Sequence, residues 1–405
     1  MLITNIGELV GIVPPGVRRK QGEEMSHTGV LRDAWLEVLD GRIASFGEMS
    51  AQVPDNRDGK VTDARGGMLM PAFCDSHTHI VHAGTREGEF IDKINGLSYE
   101  EIAARGGGIL NSADLLHETP EDELYRQSME RVREMMSKGS CAIEIKSGYG
   151  LNPADELKML RVIRRIKESV PAIVRSTFLG AHAVGRGYTH ESYVQAVIDM
   201  LPEAAGLSDF VDVFCDKGFF TTEDTARILK AASSCGLRAK IHANELDVSG
   251  GVEVGVNCGA LSVDHLERTT EAQIEILKGT PVMPVMLPSS SFFLGLPFGA
   301  ARDFIGAGLG VALASDYNPG SSPSGDMRFV MALACIKMRL TPVQAFNALT
   351  LNAAYAMGVE DISGSVTAGK RADLILTLPG WSLTRLPYNY TTPFIRSVFA
   401  AGREI

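Results

Sequence analysis

Eight times between residues 68 and 338 an apolar run is followed by a stretch with helical periodicity, and few folds accommodate that alternation. Strand-like runs fall at 68–77, 140–146, 172–181, 209–215, 237–243, 260–265, 281–287 and 309–315. Helical stretches follow at 120–138, 153–168, 189–204, 221–236, 248–257, 271–278, 299–307 and 324–338. Some open on recognisable punctuation: Asn152-Pro153 starts the second, and Thr221 or Thr222 can cap the fourth. Strand then helix, repeated eight times, predicts a closed (β/α)8 TIM barrel over an open doubly wound sheet. A further helical pair is expected around 341–357.

Both ends of the chain have strand chemistry instead. W-L-E-V-L at 35–39 and R-I-A-S-F at 42–46 flank Asp40-Gly41, which reads as a hairpin. The Pro- and Gly-punctuated segment from Pro14 to Gly29 reads as a mobile loop. The tail returns to strands with A-D-L-I-L-T-L and S-V-F-A-A-G-R-E-I. Neither end is large enough to fold separately, so the expectation is one small β-sandwich domain shared by 1–65 and 359–405, with the barrel over 66–358.

A net charge of −10 and a pI near 5.5 argue against a nucleic-acid partner, which needs clustered Lys and Arg. The basic run from Arg161 to Lys167 is spaced like the wet face of a helix. Six cysteines without a C-x-x-C pair read as reduced thiols, and the N-terminus has no signal-like block. No apolar run approaches the ~20 residues that cross a bilayer, so a cytoplasmic protein without membrane partners is expected.

The chemistry concentrates at strand ends. In D-S-H-T-H at 75–79, His77 and His79 lie two apart on a strand and project from one face. An isolated H-x-H arises often by chance, but this one ends the first strand of an eight-strand series. His242, in I-H-A-N-E, and Asp316, in A-S-D-Y-N-P, would complete a ligand set of three imidazoles and one carboxylate. Such a set suits one divalent metal, zinc or iron, which can lower the pKa of bound water to about 7. Active sites of such barrels lie at the C-terminal ends of the strands, where His77, His79, Tyr149, His182, His242, His265 and Asp316 all fall.

Glu245, three residues beyond His242, is either a capping glutamate or a proton carrier beside the metal; His265 is either a satisfied core histidine or a group that polarises a carbonyl. Asp264 is expected to face the other way in a structural role. His27, His82, His117 and His190 read as surface residues. Gly106-Gly107-Gly108 lacks phosphate-loop spacing and reads as a flexible segment of the site, and Val282 to Leu287 as barrel core. Asn318-Pro319-Gly320 is turn chemistry that would show Gly320 and Ser321 to a ligand.

Taken together, these residues and the closing A-G-K-R-A-D-L-I-L resemble the amidohydrolase superfamily over nearly the whole chain. H-A-G-T-R-E-G-E-F at 82–90, E-I-K-S-G-Y-G-L at 144–151, T-F-L-G-A-H-A at 177–183 and S-D-Y-N-P-G-S-S-P at 315–323 narrow the likeness to members acting in histidine degradation. The resemblance implies hydrolysis of the ring amide of 4-imidazolone-5-propanoate to N-formimino-L-glutamate by metal-activated water. It implies that His77, His79, His242 and Asp316 bind zinc or iron, that Arg86 holds the propionate, and that Tyr149 and His182 touch the ring. Asn318, Gly320 and Ser321 would line the far side, with Glu245, His265 and Asp316 as catalytic groups and Glu245 also contacting the substrate.

Binuclear relatives carry a modified lysine at the end of strand four, where this chain has Lys217 one step too far, so a single metal is expected. A homodimer fits the resemblance. The competing enzyme reading is an aminohydrolase of a cytosine-like or guanine-like ring, which shares the metal set but has no use for Arg86.

Overall fold

Eight parallel strands make the barrel wall in chain order: Phe73–Asp75, Ser140–Lys146, Ile173–Ala181, Phe210–Cys215, Arg238–Ala243, Ser262–His265, Met283–Met286 and Ala312–Leu313. In this computed structural model, residues 1–55, 59–97, 101, 105 and 107–405 are described. The eighth strand meets the first: the Asp316 N–H donates to the His77 carbonyl at 3.0 Å and the His79 N–H to the Tyr317 carbonyl at 2.9 Å. The Asp75 carboxylate reinforces this seam by accepting from the Ser315 N–H at 3.0 Å.

Helices cover the outside of the wall, so its strands are buried on both faces. The inward faces are not all apolar. Glu144, Lys146, Asp212, Lys240 and Asp264 are completely or almost completely buried inside. The expected helices are present, from Glu121–Ser137 through Met327–Ile336, followed by Pro342–Leu349 and Leu351–Ala356. Asn152 caps Pro153–Ser169 by accepting from the Asp155 N–H, and Thr221 caps Thr222–Ser234 by accepting from the Asp224 N–H. Helices at Glu87–Ile94, Ile109–Glu118 and Pro288–Leu294 lie outside the expected series.

The chain ends share a second eight-stranded sheet. Leu2–Ile12 pairs parallel to Gly67–Pro71, which pairs antiparallel to Leu374–Pro379, so the last forty residues complete what the first seventy begin. Ile3, Ile6, Leu9, Leu36, Leu374, Leu376 and Phe399 form its buried side. The hairpin joins Gly29–Leu39 to Arg42–Glu48 through Asp40 and Gly41, both at positive φ (49° and 75°), as a type I′ turn requires.

Two expectations change. The run 68–77 is not one strand: Gly67–Pro71 belongs to the terminal sheet and Phe73–Asp75 to the barrel. The chain changes sheets directly after Pro71, which has no N–H to continue a ladder. The segment from Pro14 to Gly29 is tied down. Met25 is fully buried in a 3-10 turn at Gly22–Ser26. The Asn352 side chain accepts from the Lys20 N–H and donates to the Lys20 carbonyl, and Asn347 donates to the carbonyls of Met25 and His27.

Candidate metal and active site

The strand-end side chains converge at the barrel mouth. Nε2 of His77 lies 3.1 Å from Nε2 of His79, which lies 3.4 Å from Nε2 of His242. Oδ1 of Asp316 is 3.6 Å from the first and 3.5 Å from the second. What decides their chemistry is behind them. Nδ1 of His77 is 2.6 Å from Oδ2 of Asp264, and Nδ1 of His242 is 3.0 Å from Oδ2 of Asp212. A carboxylate in that position keeps the ring proton on Nδ1 and turns the Nε2 lone pair forward. The Nε2 lone pairs of His77 and His242 both turn toward Nε2 of His79, whose own Nδ1 is buried without a hydrogen-bond partner. The donor set therefore fits a divalent metal, and His77, His79 and His242 are the metal-capable cluster among the described residues. Burial, aided by nearby cationic groups, holds His77 and His79 well below the usual histidine pKa, in the neutral form that ligation needs.

The two supporting carboxylates belong to a buried ionic layer. Lys146 lies 2.7 Å from Glu144, 2.8 Å from Asp212 and 3.7 Å from Asp264. Lys240 pairs with Glu144, lies 3.8 Å from Asp264 and donates to the Ser76 carbonyl at 3.0 Å. Three carboxylates against two ammonium groups leave the layer net negative, which favours a cation above it.

Asp264 thus corrects the expectation that it faces away. Residue 265 has φ 86° and Leu266 has φ 68°, so the period-two alternation fails at the strand end and both Asp264 and His265 turn inward. Asn244 and Asp316 also have positive φ (58° and 53°), and strain of this kind gathers where residues are held for function.

A profile of the amidohydrolase family matches residues 68–404. The chain belongs to the amidohydrolase family. Among its relatives in that family, it is 49% identical to the imidazolonepropionase of Christiangramia forsetii over 100% of both chains. It is 49% identical to that of Flavobacterium johnsoniae over 100% of this chain and 99% of the relative. Solved structures share the fold at low identity. The 5-methylcytosine deaminase of Klebsiella pneumoniae superposes with a TM-score of 0.76 at 15% identity, covering 100% of this chain and 98% of that one. The guanine deaminase of C. acetobutylicum does so with 0.71 at 16%, covering 100% and 99%.

Around this candidate metal cluster lie the other candidates. Glu245 places Oε2 3.7 Å from Nε2 of His265, whose Nδ1 is 3.5 Å from Oε2 of Glu267. Burial pushes the Glu245 carboxyl up to about 7. His265 is buried too, but its two glutamate neighbours outweigh the burial and raise it well above the usual histidine value. Glu267, also in V-D-H-L-E, was not among the expected groups; its second oxygen accepts from Ser291 at 3.0 Å.

His182 stacks on His79 with centroids 5.2 Å apart and planes at 21°, and the Tyr149 ring lies 6.0 Å from His79 and 5.5 Å from His182. Nδ1 of His182 faces the Gly148 carbonyl at 3.0 Å, which leaves its Nε2 as an acceptor. Burial lowers the His182 pKa to about 3.

Arg86 donates through Nε and Nη2 to both oxygens of Glu89 at 2.9 and 2.5 Å, and its Nη1 packs so closely on Gly320 that a Cβ there would have no room. Glu89 also accepts from the Gly108 N–H at 2.9 Å; of the glycine run, Gly106 lies outside the described residues. In the turn after Asp316, Oδ1 of Asn318 accepts the N–H groups of Gly320 and Ser321 at 2.8 Å each. Those two N–H groups are directed into the turn and not displayed, because the Asn318 carboxamide captures them. Ser321 Oγ lies 3.3 Å from Oδ2 of Asp316.

Lys217 is solvent-exposed and bound to Asp247 at 2.9 Å, so it supplies no ligand. His27, His117 and His190 are largely exposed. His82 is not on the surface: it is 3% exposed, beneath the Arg131 guanidinium that donates to its backbone carbonyl.

Proposed function

We infer that the chain is an imidazolonepropionase, hydrolysing the ring amide of 4-imidazolone-5-propanoate to N-formimino-L-glutamate. The observation that carries this reading is full-length similarity to imidazolonepropionases, joined to three buried imidazoles that bring their ligand nitrogens together beside a carboxylate. His77, His79, His242 and Asp316 would hold one divalent ion per chain, zinc or iron. When bound, such an ion makes a water acidic enough to act as a nucleophile near neutral pH.

The residues then divide the work. Glu245, buried and close to neutral in pKa, takes the proton released as water adds to the ring carbonyl and passes it to the departing ring nitrogen as the C–N bond breaks. His265, held cationic by Glu245 and Glu267, stabilises negative charge developing on the carbonyl oxygen. Asp316 is a second candidate for first receiving the water proton. Tyr149 and His182 form the wall against which the flat ring stacks. Arg86 binds the propionate, with Asn318, Gly320 and Ser321 closing the opposite side. Lys217, turned to solvent, supports a single metal.

We also propose a homodimer in the cytoplasm. Six free cysteines fit a reducing compartment, and no helix among the described residues is long and apolar enough to cross a membrane. The deciding experiment follows the ultraviolet absorbance of freshly prepared substrate with and without chelator. Metal-dependent decay with formation of N-formimino-L-glutamate is expected; no decay with metal-replete protein would overturn the reading.

A further inference from the structure

The carboxylate of Asp216 has an arrangement that the reaction described above does not use. Asp216 follows directly on the fourth strand and is 3% exposed. Its Oδ2 accepts the N–H groups of Glu245 and Leu246 at 2.8 and 2.9 Å. Its Oδ1 accepts from the N–H of Lys217 at 2.7 Å, the N–H of Asp247 at 3.2 Å and the Ser249 hydroxyl at 2.8 Å. Five donors and no acceptor face this one group, so only a carboxylate satisfies them all. Three are consecutive backbone N–H groups of the loop that carries Glu245.

That loop needs an external hold. It leaves the fifth strand through Asn244 at φ 58° and continues to Gly250, also at positive φ (82°), before the helix Gly251–Asn257 begins. Between these points Glu245, Leu246 and Asp247 lie in no helix or strand, and their N–H groups all turn to Asp216. Glu245 itself must keep its carboxylate near His265 and in reach of both the attacking water and the leaving nitrogen. A displacement of 1 Å at such a group can cost about 10²-fold in rate.

We propose that Asp216 is a positioning residue: by gathering the backbone of residues 245–247 from the end of the neighbouring strand, it aims the Glu245 carboxylate for proton transfer. The inference rests on the functional reading above and adds to it a residue that acts only through Glu245. Asn at 216 keeps the shape but turns an NH2 group toward either the 245–246 pair or the group made by 217, 247 and 249. At least two N–H donors then lose their acceptor.

Asp216→Asn should lower kcat by about 10- to 100-fold with KM within about twofold and metal content unchanged. A general structural role would not confine the loss in this way. The sharper arm places the substitution in a Glu245→Gln background, itself expected to lose about 10²-fold. If Asp216 acts through Glu245, Asp216→Asn there changes kcat by less than about twofold. A loss as large as in the wild-type background overturns the proposal.

Hydrogen–deuterium exchange of residues 244–250 supplies a readout independent of turnover, with faster exchange expected in Asp216→Asn and wild-type protection overturning the idea. If Asp216→Asn does not accumulate as folded protein, Ser249→Ala takes its place. It should show a several-fold lower kcat at unchanged KM, and full activity would refute the proposal. Wild-type protein that fails to open the ring refutes the functional reading instead, and the exchange measurement still decides the role of Asp216.

Discussion

Replacing Asp264 by Asn tests whether the buried ionic layer prepares the metal ligands. The wild-type carboxylate sits 2.6 Å from Nδ1 of His77 and accepts from the Ser262 hydroxyl at 2.5 Å. Asn can keep an oxygen toward His77 while its NH2 group faces Ser262, whose hydroxyl can turn to accept. The imidazole orientation therefore survives, and what is lost is charge. Lys146 and Lys240, 3.7 and 3.8 Å from the same carboxylate oxygen, then face two carboxylates instead of three, and the layer under the cation changes from net negative to neutral.

Loss of an outer partner of a ligating histidine typically costs 10- to 100-fold in metal affinity, about 1.4–2.8 kcal/mol. Competition between the stripped protein and a chromophoric chelator measures this directly, with the far-ultraviolet circular dichroism confirming an intact fold. Affinity within about twofold of wild type, a change of only ~0.4 kcal/mol, would falsify the claim that this layer tunes the site.

Two further outcomes are expected. Arg86→Lys keeps the positive charge but not the two-pronged geometry, so KM for the propionate substrate should rise about tenfold while an uncharged analogue lacking the carboxylate is turned over as by wild type; equal effects on both would place Arg86 outside substrate binding. Glu156 accepts the N–H groups of Gly148, Gly150 and Leu151, and burial raises its carboxyl from the ordinary 4.5 to about 7. A raised carboxyl binds its proton more tightly when folded, so its contribution is present at pH 5 and lost as pH rises through 7, with a slope of up to ~1.4 kcal/mol per pH unit. Urea midpoints should therefore fall between pH 5 and 7 more steeply for wild type than for Glu156→Gln, and parallel curves would contradict the assignment.

The elements that sequence periodicity revealed are those whose pattern is local. Barrel strands were legible as apolar runs, and Asn152 and Thr221 marked helix starts because capping is decided within three residues. The helix at Glu87–Ile94 was not legible because Arg86, at its N-cap, supplies no capping side chain to mark the start. Pro288–Leu294 was not legible because it is only seven residues long and Leu287, at its N-cap, makes no side-chain cap.

The convergence of His77, His79 and His242 was legible because H-x-H and strand-end position are both properties of short segments. Its support was not. Asp212 and Asp264 look like polar interruptions of apolar strands until the barrel brings Lys146 and Lys240 between them. Asp264 shares the inward face with Ser262 by ordinary alternation, and it is the added inward turn of His265 that depends on a positive φ nothing in V-D-H-L-E announces. His82 was misplaced for a related reason, since the arginine that covers it lies 49 residues further along the chain.

The seam between the first and last barrel strands has a consequence for how the molecule holds together. Three candidate metal ligands, His77 and His79 on one side and Asp316 more than 230 residues further along the chain, flank the backbone hydrogen bonds that join those strands. An ion gripping His77, His79 and Asp316 would cross-link the join that closes the wall, adding binding energy to folded chains alone. Loading the enzyme would then be a structural event as much as a catalytic one: a rivet through the place where the cylinder closes on itself.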